Sequence, residues 1–170
     1  MHTENASRRG FLTSIVGSAI AASLPFEAGG QAESRSLRAI AAEKGILFGS
    51  AVGAGKPGTL TGSFADARYL EVLQRECAVL VPENELKSYV ISAERDQLDF
   101  EPGDRIARFA KDHGMKLRGH TLLWNRTEFM PKWLAESFGA LSASAGERYL
   151  HSYIERVCTH YRTQIHSWTS

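Results

Sequence analysis

Residues 78–87, Ala78-Val79-Leu80-Val81-Pro82-Glu83-Asn84-Glu85-Leu86-Lys87, pass from four apolar positions through a proline into a cluster of polar groups. A short apolar run closed by proline fits a strand buried on both faces, because Pro82 brings no N–H to extend a ladder. Upstream, residues 64–77 place Tyr69, Leu70, Leu73 and Cys77 at helical spacing. Downstream, Ile106, Phe109 and Ala110 share a helical face, with Asp104 as the expected N-cap and Gly114 past the C-terminus. The decisive stretch is therefore a strand set between two helices.

The same alternation continues outward. Ile46-Leu47-Phe48-Gly49-Ser50-Ala51-Val52, flanked by Gly45 and Gly53, is expected to be a strand, and residues 115–124 another. Residues 144–162 carry Tyr149, Leu150, Tyr153, Ile154, Val157, Cys158 and Tyr161 in one apolar stripe, the clearest helix of the chain. Gln164-Ile165-His166-Ser167-Trp168 opens a fourth strand. Alternating strands and helices of this kind are βα units on a parallel sheet, in a doubly wound sheet or in a barrel. A complete eight-unit barrel takes roughly 200 residues or more, so this chain holds about half of one.

Composition restricts the partners. The net charge is +1, and no run of Lys or Arg exceeds a pair, which gives no electrostatic reason for nucleic acid or an anionic membrane to bind. No cofactor and no obligate protein partner is expected. Residues 1–32 have the form of an export signal: Ser7-Arg8-Arg9-Gly10-Phe11-Leu12 resembles the bacterial twin-arginine motif, and an apolar run, Ile15–Ala22, follows. That run is shorter than the roughly 20 residues a bilayer span needs, and Gly30 and Ala32 suit cleavage after Ala32. The expected destination is the periplasm or the medium, with 33–170 as the mature part. Cys77 and Cys158 are expected as free thiols, since cargo of this route folds before export, in a reducing compartment.

Two apparent motifs carry no chemistry. Gly49-Ser50-Ala51-Val52-Gly53-Ala54-Gly55-Lys56-Pro57 imitates a phosphate-binding loop, but Ser50 stands where the first Gly is needed and Pro57 where a Ser or Thr must hold magnesium. The six histidines include no His-Glu-x-x-His pair for zinc. Two stretches do have the right chemistry for sugars. Glu83, Asn84, Glu85 and Lys87 follow a strand, on the face of a βα sheet where ligand groups collect, and mix donors with acceptors as sugar hydroxyls require. A polar loop capping the next helix fits that spacing equally well. In Arg118-Gly119-His120-Thr121-Leu122-Leu123-Trp124-Asn125, strand alternation puts His120, Leu122 and Trp124 on one side, an imidazole beside an indole.

Taken together, Pro82-Glu83-Asn84-Glu85-Leu86-Lys87, Arg118-Gly119-His120-Thr121-Leu122-Leu123-Trp124 and Pro131-Lys132-Trp133-Leu134 resemble the N-terminal landmarks of glycoside hydrolase family ten, the endo-1,4-β-xylanases. Phe48–Val52 is similar to that family's first strand, and Ile165-His166-Ser167-Trp168 to the opening of its fourth. The resemblance implies an α/β fold, a partial (β/α)8 barrel of about the first four units, and xylan or a related β-1,4-linked polysaccharide as substrate. It implies that Glu83, Asn84 and Lys87 hydrogen-bond the glycone sugars and that His120 and Trp124 line the cleavage subsite. Asn125, where a His is usual, joins that substrate-binding set. Ser88 replaces the usual Trp after Lys87, and the loop from Asn125 to Pro131 is about two residues longer than the family pattern.

The family is a retaining one, with two Glu carboxyls roughly 5 Å apart, one acid/base and one nucleophile. In the family the acid/base lies in a Trp-Asp-Val-Val-Asn-Glu type run after the fourth-strand Trp, where this chain has Trp168-Thr169-Ser170. The expectation is a truncated piece of a xylanase without either catalytic Glu, inactive alone. The alternative is a non-catalytic glycan-binding remnant or degenerate gene product, against which the open edges of a half sheet argue.

Overall fold

The computed structural model describes residues 35–55, 62–137 and 139–169. The export signal expected at 1–32 lies outside the described residues. Four strands form the sheet: β1 (Gly49–Val52), β2 (Val79–Pro82), β3 (Lys116–His120) and β4 (Ile165–Thr169). They lie side by side in the order β1-β2-β3-β4, and every pairing is parallel. A doubly wound sheet reverses its strand order at a switch point, whereas a barrel adds each strand beside the previous one. Of the two architectures left open by the sequence, the structure has that of a barrel.

The helices are α1 (Leu37–Glu43), α2 (Ala67–Glu76), α3 (Ser88–Ile91), α4 (Glu101–Asp112), α5 (Lys132–Ser137) and α6 (Ala143–Tyr161). Their starts follow local side-chain chemistry. Asp66 accepts from the amides of Arg68 and Tyr69 at α2, and Ser142 accepts from Ala145 at α6. The expected cap Asp104 is corrected: α4 begins four residues earlier, after Phe100, with Pro102 in its first turn and the Asp99 carboxylate 2.9 Å from the Glu101 amide. Proline is pre-set for the first helical turn, so it wins the start. Asp104 instead sits in that first turn and meets His160 Nε2 of α6 at 2.8 Å, while the His160 ring stacks on Phe100 at 3.9 Å.

The expected first strand is also shorter. Ile46, Leu47 and Phe48 precede β1 and are 58%, 45% and 38% exposed. The third stops at His120, so Leu122 and Trp124 lie in a loop.

Burial is one-sided where two-sided burial was expected. In β3, Leu117 and Gly119 are buried while Lys116 and Arg118 are exposed. Leu117 joins Val52, Leu80, Leu73 of α2, Ile106 and Ala110 of α4, and Tyr153, Val157 and Tyr161 of α6 in a continuous apolar core. Cys77 is buried and Cys158 half-buried, both free thiols. The core thus lies on the helix side of the sheet, and every strand end is brought to one rim.

Gly119 shows how close that packing is. A Cβ there would overlap the Trp168 indole of β4. Gly119→Ala should therefore lower unfolding free energy by about 1–3 kcal/mol through overpacking. Urea unfolding followed by tryptophan fluorescence measures this; an unchanged midpoint would show that the indole moves aside freely.

Candidate functional site

The rim formed by the C-terminal ends of β1, β2 and β3 collects the polar groups. The loop after β2 is anchored by Glu85, whose side chain is 2% exposed. Its Oε1 accepts from the Ala54 amide just after β1 at 2.6 Å, and its Oε2 from the Asn84 amide at 3.0 Å. A buried carboxylate is tolerable only with such donors, so Glu85 pins the loop against the end of the first strand. Gly53 lets the neighbouring Glu83 lie close, since a Cβ there would stand 2.7 Å from Glu83 Oε2. Glu83 itself is exposed, and its amide donates to the Val52 carbonyl at 3.0 Å.

Held in this way, Asn84 and Lys87 meet. Lys87 Nζ donates to Asn84 Oδ1 at 3.1 Å, and the Tyr89 hydroxyl donates to the same oxygen at 2.7 Å. The ammonium lies 4.8 Å from the centroid of Trp124 and 5.9 Å from that of Phe129, whose ring stacks on Trp124 at 4.3 Å. Burial pushes the Lys87 ammonium below its ordinary value, against the pull of Glu85 and then Glu83 in the other direction. Burial, followed by the Glu85 charge, raises the Tyr89 phenol.

His120 ends β3, its ring 6.3 Å from Trp124. Its peptide bond to Thr121 is cis. Its Nδ1 lies 3.0 Å from Thr169 Oγ1 of β4. Burial first, then Lys87 and Arg118, lower its basicity, so the ring is held towards its neutral form. Asn125 is exposed and lines, with Leu122, Leu123, Trp124 and Ile154, an open recess of about 550 Å³. Among the described residues, no group of three or more His, Cys, Asp or Glu is placed to hold a metal ion.

The structure therefore brings Asn84, Lys87, His120 and Trp124 together, places Glu83 over Gly53 at the same rim, and leaves Asn125 at the edge. The expected strand alternation that set His120 and Trp124 on one side is not what joins them. Trp124 reaches the rim from a loop, braced by Phe129. Sequence reasoning left four contributors out of the substrate-binding set. Glu85 is legible only as a second carboxylate until its burial is known. Tyr89 and Phe129 have no signal beyond their aromatic character. Thr169 is separated from His120 by 49 positions.

A sequence profile of Glycosyl hydrolase family 10 matches residues 36–169. The chain belongs to this family. It is 32% identical over 133 residues to endo-1,4-beta-xylanase B of Thermotoga neapolitana, covering 78% of this chain and 36% of that protein. It is 29% identical over 143 residues to endo-1,4-beta-xylanase A of Phanerodontia chrysosporium, covering 82% and 32%. Among solved structures, xylanase 10B of Thermotoga petrophila RKU-1 in complex with xylobiose superposes with a TM-score of 0.68 at 28% identity, over 78% of this chain and 38% of that one. Native xylanase 10B of Thermotoga maritima gives 0.69 at 28% identity, over 78% and 39%. The chain spans about a third of the length of the curated relatives it matches. The four-stranded arc of this family 10 chain is accordingly part of a (β/α)8 barrel.

The anchoring of the loop gives a direct test. Glu85→Ala leaves two amide donors without their carboxylate and should cost about 2–3 kcal/mol in urea unfolding. Glu85→Gln should cost less, since one oxygen still accepts. Equal stability of all three proteins would show that the buried carboxylate does not hold the loop.

Proposed function

We propose that this rim is the glycone-side binding surface of a retaining endo-1,4-β-xylanase, whose substrate is xylan or a related β-1,4-linked polysaccharide. The observation that carries the reading is the Lys87 ammonium, bonded to Asn84 and held over Trp124, beside His120. A fixed donor, a carboxamide and a flat aromatic face match a pyranose ring, whose hydroxyls need directional partners and whose C–H faces pack on indole. The relatives named as xylanases support it. Glu83 and Asn125 extend the surface to either side. In this reading the acid/base and the nucleophile come from barrel units other than the four described here.

Binding and hydrolysis then separate. The 170-residue chain should bind xylotriose, and Lys87→Ala should weaken that binding by about tenfold or more, the worth of one hydrogen bond to a charged group, with Trp124→Ala weakening it through lost packing on the ring. It should release no reducing sugar from xylan, because no acid protonates the leaving oxygen and no carboxylate forms the glycosyl intermediate. Calorimetry and a reducing-end assay read the two effects. Hydrolysis above that of a Glu83→Ala control would overturn the division of roles, and unaltered binding by both variants would remove the site.

We also propose export through the twin-arginine route to the periplasm or medium, supported by Arg8-Arg9 and the apolar run after them. Lysine lacks the planar donor fork of arginine, so Arg8→Lys with Arg9→Lys should keep the precursor in the cytoplasm. Fractionation of expressing cells checks this, and normal delivery of the double variant would end the proposal.

A further inference from the structure

His120 has two ring nitrogens, and the hydroxyl facing it from β4 distinguishes them. Thr169 is the register partner of His120 across the β3–β4 pair. Its Oγ1 donates to the Gly119 carbonyl at 3.1 Å and lies 3.0 Å from His120 Nδ1. A hydroxyl has one proton, and a carbonyl oxygen can only accept. The Gly119 contact therefore takes that proton, and the His120 contact is satisfied only if Nδ1–H donates to Oγ1.

We infer that Thr169 is a positioning residue that holds His120 as its Nδ1–H tautomer, so that Nε2 offers a lone pair to a sugar hydroxyl lying beside Trp124. The sugar part rests on the reading under Proposed function; the tautomer does not. Thr169 is itself fixed, because the Thr121 hydroxyl donates to its carbonyl at 2.9 Å. Among the described residues, the charges that act on the imidazole are the cations Lys87 and Arg118, which oppose a second proton. A neutral hydroxyl at 169 adds no countercharge. Thr169 stands where the family run quoted above has Asp, and a carboxylate there would orient the same nitrogen but also favour imidazolium. The pairing here orients without charging.

The test is the ¹⁵N spectrum of the imidazoles in the 170-residue chain above the titration of His120. The wild type and Thr169→Ser should show a protonated Nδ1 and an unprotonated Nε2. Thr169→Val, which cannot accept from nitrogen, should shift His120 towards the Nε2–H form while backbone amide shifts elsewhere report an intact fold. Thr169→Asp should keep the wild-type tautomer and raise the titration midpoint. A wild-type ring protonated at Nε2, or a Thr169→Val ring with unchanged tautomer, would overturn the assignment. Added xylotriose should move Nε2 more than Nδ1. An unchanged Nε2 in the presence of sugar, with the tautomer as assigned, would sink the sugar reading and leave the Thr169 assignment supported by the spectrum.

Discussion

A carboxylate with almost no access to water sits between the ends of the first two strands, and the rest of the rim is arranged around it. Glu85 would be strongly unfavourable there without donors. The Ala54 and Asn84 amides supply them only if the segment after β1 and the loop after β2 leave the sheet side by side. The β1–β2 register, Val52 opposite Pro82, sets that arrangement. Pro82 has no N–H to satisfy, and the Glu83 amide makes the last bond to β1, at the Val52 carbonyl, before the chain turns. Sheet order, proline and buried charge thus specify one loop conformation between them.

From that anchor the polar groups take unequal roles. Lys87 is drawn under the loop, where burial disfavours its charge and Glu85 and Glu83 restore part of what burial removes. The two effects act in opposite directions on one ammonium. Trp124 and Phe129 complete its surroundings with aromatic faces, favourable for a cation and dry enough to strengthen its bond to Asn84. The same charge lowers the basicity of His120. One side chain therefore couples the loop after β2 to the end of β3.

The sequence pattern conveyed the alternation of elements and the two polar stretches, because both depend on neighbours within a few positions. Strand order was beyond it: Ile46–Val52 and Ala78–Pro82 read alike in a wound sheet and in a barrel. Ile46, Leu47 and Phe48 look like strand residues, yet the register begins only at Gly49, and Phe48 contributes just its carbonyl, to the Ala78 amide. The start of α4 was misassigned to Asp104 because an acidic residue suits both a cap and a first turn, and Pro102 decides between them. Within the site, Lys87 and Asn84 were legible as a pair three residues apart. The Thr169–His120 contact joins residues 49 positions apart and was not.

The geometry also separates recognition from chemistry. A retaining glycosidase needs one carboxyl free to give up a proton and another free to attack carbon. Glu85 is at the rim, but it is buried and its two oxygens face backbone amides, so it is occupied in holding structure. Glu83 lies over Gly53, exposed, at the β1 end of the rim. His120, kept towards its neutral form by burial and two cations, is suited to accept a hydrogen bond and poorly suited to serve as an acid. Lys87 donates and cannot accept while charged. Glu83, His120 and Lys87 are thus each suited to a single hydrogen-bonding sense toward the open rim. On the proposed reading, that suits a surface which holds a sugar in one orientation.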